Sequence, residues 1–204
     1  MSTVSGPLLL ADAPWLLYRS FFADDEAGME RFLATVTTPE WNSRQDGGRP
    51  WVEAIDELVR LHPEHEPLIR AYRERWRETL RGPIDATVAI LAELRESGVR
   101  LFALTNWSAE TFALIRDDFD FLAWFDGIVV SGEERVVKPD EAIYRILLER
   151  HGLEPSRTIF VDDSVVNVDQ ARRLGFDAIL FRDPDGLRAE LRRRGLIDHA
   201  HGGR

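Results

Sequence analysis

Two adjacent acids, Asp162 and Asp163, stand between an apolar run at residues 158–161 and an amphipathic run at 165–174. The first run is β-branched and apolar, which predicts a buried parallel strand. The second predicts a helix, with Ser164 placed to cap it. Both carboxylates therefore fall at the carboxyl end of a strand, where open α/β sheets bind ligands. Side by side they repel unless a proton or a cation lies between them. Mg²⁺ suits that role, being hard and taking carboxylate oxygen. In the other reading one Asp caps the helix and its neighbour is solvated. Thr105-Asn106 closes a second apolar run, 101–104, and can donate hydrogen bonds to an anion or simply start a helix. Lys138-Pro139 follows a third run, 127–130. Its ammonium can reach over the sheet edge toward a phosphate or the acids, or lie exposed like most lysines.

The elements that must hold these residues alternate regularly. Helices are predicted at 84–97, 108–117, 140–151, 165–174 and 187–194, with strands at 100–104, 127–130, 158–161 and 178–181. Gly98 and Gly152 are placed as C-terminal caps. Strand–helix alternation predicts an α/β fold, a Rossmann-like parallel sheet with helices on both faces. Upstream, residues 6–12 read as a short apolar strand ending in Asp12, and Pro14 opens a helix. A helical block follows, with helices at 26–36, 51–61 and 67–81. Thr38-Pro39 and His62-Pro63 read as breaks, residues 41–50 as a loop, and Gly82-Pro83 as the close of the last helix. Trp51, Tyr72 and Trp76 read as the core of the block. The division this implies is a core of 1–18 and 82–198, an inserted cap of 19–81 and a disordered tail at 199–204.

Composition narrows the function. The 204 residues carry 36 Asp and Glu against 26 Lys and Arg, a net charge of -10, which argues against nucleic-acid and anionic-membrane partners. An anionic substrate then needs local positive charge to offset that field. There is no Cys, hence no thiol chemistry. No apolar run approaches a membrane span and the N-terminus lacks signal-peptide features, so a cytoplasmic location is expected.

Thr105-Asn106 at a strand end, then Lys138-Pro139 before a helix, then Asp162-Asp163 with Asn167 four residues beyond, together resemble the haloacid dehalogenase-like (HAD) hydrolase superfamily. The resemblance runs from about residue 86 to 191, and the helical insertion is similar to that family's cap. Leu104-Thr105-Asn106-Trp107-Ser108 and Val137-Lys138-Pro139-Asp140 resemble its small-molecule phosphatases and dehalogenases. On this resemblance Thr105 takes the place of the second motif, Lys138 the third, and Asp162-Asp163 with Asn167 the fourth.

The family's first motif, a strand ending in a nucleophilic Asp followed by a Gly-rich flap, is missing. An ungapped alignment puts Val4 at the nucleophile's place and leaves only three residues for the central strand. A shifted alignment makes residues 8–11 that strand and Asp12 the nucleophile. Pro14 then stands where a second Asp would be the general acid. Residues 8–12 with 18–22 also look like the opening of 5′-nuclease (PIN-like) domains, over some fifteen residues, a likeness that is either chance or a hybrid N-terminus.

The resemblance implies a Mg²⁺-dependent phosphatase of a small phosphorylated metabolite, working through an aspartyl-phosphate. Asp12 would attack phosphorus and share the metal with Asp163, while Asp162 supports Asp163 or a metal-bound water. Thr105 and Asn106 would grip the phosphoryl oxygens, Lys138 would offset charge, and Asn167 would steady the loop around Asp163 or position Lys138. Trp107 at the pocket mouth and Asn42, with Trp41, Asp46 and Arg49 on the cap, are candidates for touching substrate. The alternatives are an impaired HAD fold that acts by binding, and a metal-free 2-haloacid dehalogenase.

Overall fold

Five parallel strands in the order β5-β4-β1-β6-β7 carry the predicted strand ends, in a computed structural model that describes residues 3–5 and 10–197. They are β1 (Thr3–Ser5), β4 (Arg100–Thr105), β5 (Gly127–Val130), β6 (Thr158–Asp162) and β7 (Asp177–Leu180). Alternate residues divide between the two faces, as the two-residue period of a strand requires. Leu101, Ile159, Val161 and Ile179 join one apolar cluster. That cluster includes Ile90 and Leu94 of α6 (Asp85–Glu96), Phe112 of α7 (Ala109–Ile115) and Leu187 and Leu191 of α11 (Pro184–Arg193). Phe102, Leu104, Phe160 and Ala178 join the other. There they meet Ile143, Tyr144 and Leu147 of α9 (Glu141–His151) and Val168 and Ala171 of α10 (Val165–Arg173). The expected α/β fold with helices on both faces of a parallel sheet is what forms.

The central strand differs from the one expected. β1 pairs with β4 through Thr3↔Arg100 and Ser5↔Phe102, and with β6 through Thr3↔Thr158 and Ser5↔Phe160. Three residues suffice because both edges of the strand are paired. The more apolar stretch near Asp12 goes elsewhere. β2 (Leu10–Asp12) pairs antiparallel with β3 (Leu80–Pro83) in a separate two-stranded sheet, with Asp12 opposite Leu80. Residues 6–9 of the expected strand, and the tail at 199–204, lie outside the described residues.

Between β2 and β3 runs the helical block: α1 (Pro14–Phe22), α2 (Glu26–Thr35), α3 (Pro39–Asp46), α4 (Trp51–Leu61) and α5 (Glu66–Glu74). Two expectations are corrected here. Residues 39–46 form a helix rather than part of a loop, because Thr38 caps it: its side chain accepts the Trp41 N–H at 3.1 Å, and Pro39 supplies the fixed φ of a first helical position. The helix expected over 67–81 ends at Glu74. A 3-10 turn, Trp76–Thr79, follows, and Gly82-Pro83 lies in β3. Trp41, Trp51 and Tyr72 meet ring to ring at 5.4–5.6 Å, with Trp51 and Tyr72 stacked. These rings belong to the same apolar cluster as one face of the sheet, so block and sheet share a continuous core.

The block is tied to the sheet's loops by polar contacts as well. The Trp51 indole N–H donates to Ser108 Oγ at 2.9 Å and its backbone N–H to Glu110 Oε1 at 2.9 Å. Ser131, which opens the short helix α8 (Ser131–Glu134), donates its hydroxyl to Asp46 O at 2.6 Å and accepts the Trp107 N–H at 2.9 Å.

Candidate active site at the strand ends

β6 is buried along its whole length, so Asp162 at its end is 1% exposed. A carboxylate there is tolerated only if its oxygens are satisfied. Both are: Oδ2 accepts from Lys138 Nζ at 2.7 Å, and Oδ1 accepts from the Ser164 N–H and from Asn167 Nδ2, each at 2.9 Å. Asn167 is held in turn through its backbone, whose carbonyl oxygen accepts the Tyr144 hydroxyl at 3.0 Å. Burial pushes the Tyr144 phenol well above its ordinary range, and the negative charge of Asp162 adds to the effect.

Lys138 is 6% exposed. An ammonium carries three N–H donors. Two are spent, on Asp162 and on Leu104 O at 2.8 Å. The third has no hydrogen-bond acceptor among the described residues, and the ammonium also lies 5.8 Å from the centre of the Phe160 ring. The lysine is positioned from its backbone: Asn106 Nδ2 donates to Lys138 O at 3.0 Å, and Asn106 Oδ1 accepts the Lys138 N–H at 2.8 Å. The amide after β4 thus fixes a residue thirty-two positions later and holds its side chain across the end of the sheet.

The structure brings together Asn106, Lys138, Asp162 and Asn167. Thr105, at the last position of β4, is half-buried, and its hydroxyl makes no hydrogen bond among the described residues. Asp163 is exposed and carries no ion pair among them. Trp107 is half-buried; its indole N–H donates to Thr111 Oγ1 at 3.1 Å, and its ring meets Trp76 and Phe112 edge-on. No hydrogen bond among the described residues joins Asn42 to this group; it lies in α3 and its side-chain oxygen accepts the Tyr72 hydroxyl at 3.3 Å. Arg49 pairs with Glu57 within the block.

Two expectations change. Asp162 is engaged with Lys138, Ser164 and Asn167 rather than with Asp163, and Asn167 serves Asp162. Asp12 does not end the strand beside β6, because the strand that ends in it belongs to the other sheet. β1 itself, Thr3-Val4-Ser5, has no acid, and Asp12 is the first acid of the chain.

A divalent ion needs several oxygen donors turned toward one point. Among the described residues no group of three His, Cys, Asp or Glu side chains converges so. Asp162 is held by Lys138, Ser164 and Asn167, which leaves Asp163 as the carboxylate of the pair that would hold a metal. Mg²⁺ is commonly bound through one or two carboxylates together with water and substrate oxygen, and Asp163 fits that role.

Sequence reasoning missed Ser131 and Tyr144. Ser131 stands directly after the strand at 127–130, the same position that singled out Thr105 and Asp162, and could have been found by that rule. Tyr144 sits in an apolar helical face, and nothing in the pattern marks its hydroxyl as a support for Asn167.

Comparison with known proteins places this arrangement. The family model of haloacid dehalogenase-like hydrolases matches residues 10–175. A sesquiterpene phosphatase of Aspergillus oryzae is 34% identical over 104 residues, covering 51% of this chain and 53% of the relative. Human N-acylneuraminate-9-phosphatase is 29% identical over 100 residues, covering 48% of this chain and 40% of the relative. The chain thus spans about half or less of these relatives' length. Among solved structures, a HAD family enzyme of Bacteroides thetaiotaomicron, in complex with magnesium and inorganic phosphate, superposes with a TM-score of 0.66 at 18% identity. The superposition covers 91% of this chain and 98% of that one, a likeness of fold. A matching family model over most of the sequence and the parallel sheet with its strand-end residues lead to one assignment: the chain belongs to the haloacid dehalogenase-like hydrolases.

Proposed function

We propose that the chain is a phosphatase of small phosphorylated molecules, binding the phosphoryl group between Thr105 and Lys138 and attacking it with Asp12. The observation that carries the reading is the buried Lys138 ammonium with one donor to spare at the sheet's carboxyl edge. Burying an ion pair is costly and adds little stability of its own. Placing it where such sheets bind ligands makes sense if its free donor meets an anion. The phosphatases among the relatives support the same class. In the proposed reaction a carboxylate oxygen of Asp12 bonds to phosphorus, and the bond from phosphorus to the leaving oxygen breaks. The departing alkoxide takes a proton from water, and a second water hydrolyses the aspartyl-phosphate to inorganic phosphate. Thr105 and Lys138 hold the phosphoryl oxygens throughout and oppose the negative field of the chain.

A second reading, binding without turnover, is favoured by the absence of an acid in β1 and the placement of Asp12 in β2. Phosphate release from an aryl phosphate, measured with and without Mg²⁺, separates the two. Under the first reading the protein turns over and Asp12→Asn loses on the order of 10⁶-fold in kcat, the scale seen when a nucleophile is removed. Equal rates in both proteins would remove Asp12 from the mechanism. No turnover, with phosphate still bound in calorimetry, would establish the second reading.

A further inference from the structure

Val165 and Val166, in the first turn of α10, are 55% and 61% exposed, whereas Asn167 and Val168 behind them are buried. Large apolar side chains this exposed are few among the described residues, and these two are consecutive and within four residues of Asp162. Across the end of β1, the loop after β4 carries Trp107. Its indole N–H is already spent on Thr111, and its ring is braced by Trp76 and Phe112, so what it offers a ligand is apolar surface. Sheet order places β4 and β6 on either side of β1, so the two apolar features flank the proposed phosphoryl position. Polar groups that could read the hydroxyls of a sugar are few beside them: Asp163 is exposed, Thr105 is taken by the phosphoryl group, and the others are engaged. Asn42 is bonded to Tyr72 and Arg49 is paired with Glu57. Asn106 is committed to the Lys138 backbone.

From this we infer that the substrate's leaving group is an apolar or aryl alcohol rather than a sugar, and that Val165, Val166 and Trp107 bind it. The inference rests on the phosphoryl site proposed above and names its substrate class. Apolar contact on one side of the ester adds binding in proportion to the area covered, whereas a sugar there would leave its hydroxyls in water or unpaired.

Calorimetric titration with inorganic phosphate, 1-naphthyl phosphate and glucose 6-phosphate tests it in the Asp12→Asn protein, which does not consume the esters, with the valines intact and as Val165→Ser/Val166→Ser. Both valines are exposed, so the substitution spares the core. The expected result is that 1-naphthyl phosphate binds roughly tenfold tighter than glucose 6-phosphate, and that the ratio falls toward one in the double variant. A general weakening of the site would lower both affinities and leave the ratio alone. Equal affinity for the two esters with the valines intact overturns the inference, as does a ratio that survives the double substitution. If neither phosphate nor either ester binds, the phosphoryl site itself fails and the inference falls with it.

Discussion

The end of β6 and the end of β1 are neighbours in the sheet and opposites in construction. β6 closes on Asp162, whose two oxygens receive three hydrogen bonds from two segments, the loop before α9 and the start of α10. β1 closes on Ser5, and the first acid after it lies in a different sheet. A buried charge must be assembled completely or it destabilises the fold. The β6 corner therefore has to be whole for structural reasons alone, whether or not chemistry follows. No such constraint acts on β1, where backbone pairing with β4 and β6 is enough to make a strand. In this fold, completeness at the fourth-motif corner says that the scaffold is intact, and only the β1 side can say whether it reacts.

The sharpest way to test that contrast is to break the pair at β6. Lys138→Met leaves Asp162 buried with no cation and should cost about 3–5 kcal/mol in urea unfolding. Lys138→Met combined with Asp162→Leu should recover much of the loss, since an apolar pair of similar volume is often neutral. A single variant as stable as the native protein would show that the corner carries no such constraint. A smaller effect is expected where the helical block meets the loop after β4. Trp51→Phe keeps an aromatic ring in the cluster but deprives the buried Ser108 hydroxyl of its donor, which should cost about 1–3 kcal/mol. No loss would mean that the apolar cluster alone holds the block to the sheet.

How much of this could be read beforehand depends on where each signal lives. The strands at 100–105, 127–130, 158–162 and 177–180 were legible because both of their faces are buried, which writes a continuous apolar run into the sequence. β1 was not, because Thr3-Val4-Ser5 is a strand by virtue of its neighbours and has no run of its own. The apolar residues up to Asp12 supplied the run and drew the assignment to themselves. In α3 the Gly47-Gly48 pair and polar composition outweighed the cap; Thr38-Pro39 read as an ending and is a beginning. At the site, residue types and their order pointed to the right strand ends. That Lys138 reaches the acids was one of the readings its place after a strand offered; that it takes Asp162, twenty-four residues downstream, rather than Asp163 is tertiary information that spacing does not contain. Nor does spacing reveal that Asn106 works on the lysine's backbone.

The smallest expected effect concerns the far edge of β4, away from either corner. His151, the last residue of α9, lies against Phe102 at 4.7 Å between ring centroids, and Nε2 is buried without a partner. Burial lowers its pKa first, and the positive charges of Arg150 and Arg100 lower it further, against a weaker pull from Asp126. The folded chain thus takes up the proton later than the unfolded chain as pH falls. Stability should be full above the ordinary histidine value of about 6.5 and should decline as pH drops below it through the folded value. The paired carboxylates Glu57, Glu93, Asp177 and Glu190, all held low mainly by hydrogen bonds from arginine, lose their contributions only at more acid pH. The decline between pH 7 and 5 is then the histidine's, and His151→Gln should flatten it in urea unfolding followed across that range. A slope unchanged by the substitution would place the acid sensitivity elsewhere. A flattened slope would show that the sheet tolerates an uncharged, incompletely bonded group at its edge while demanding full satisfaction of the charge at the end of β6.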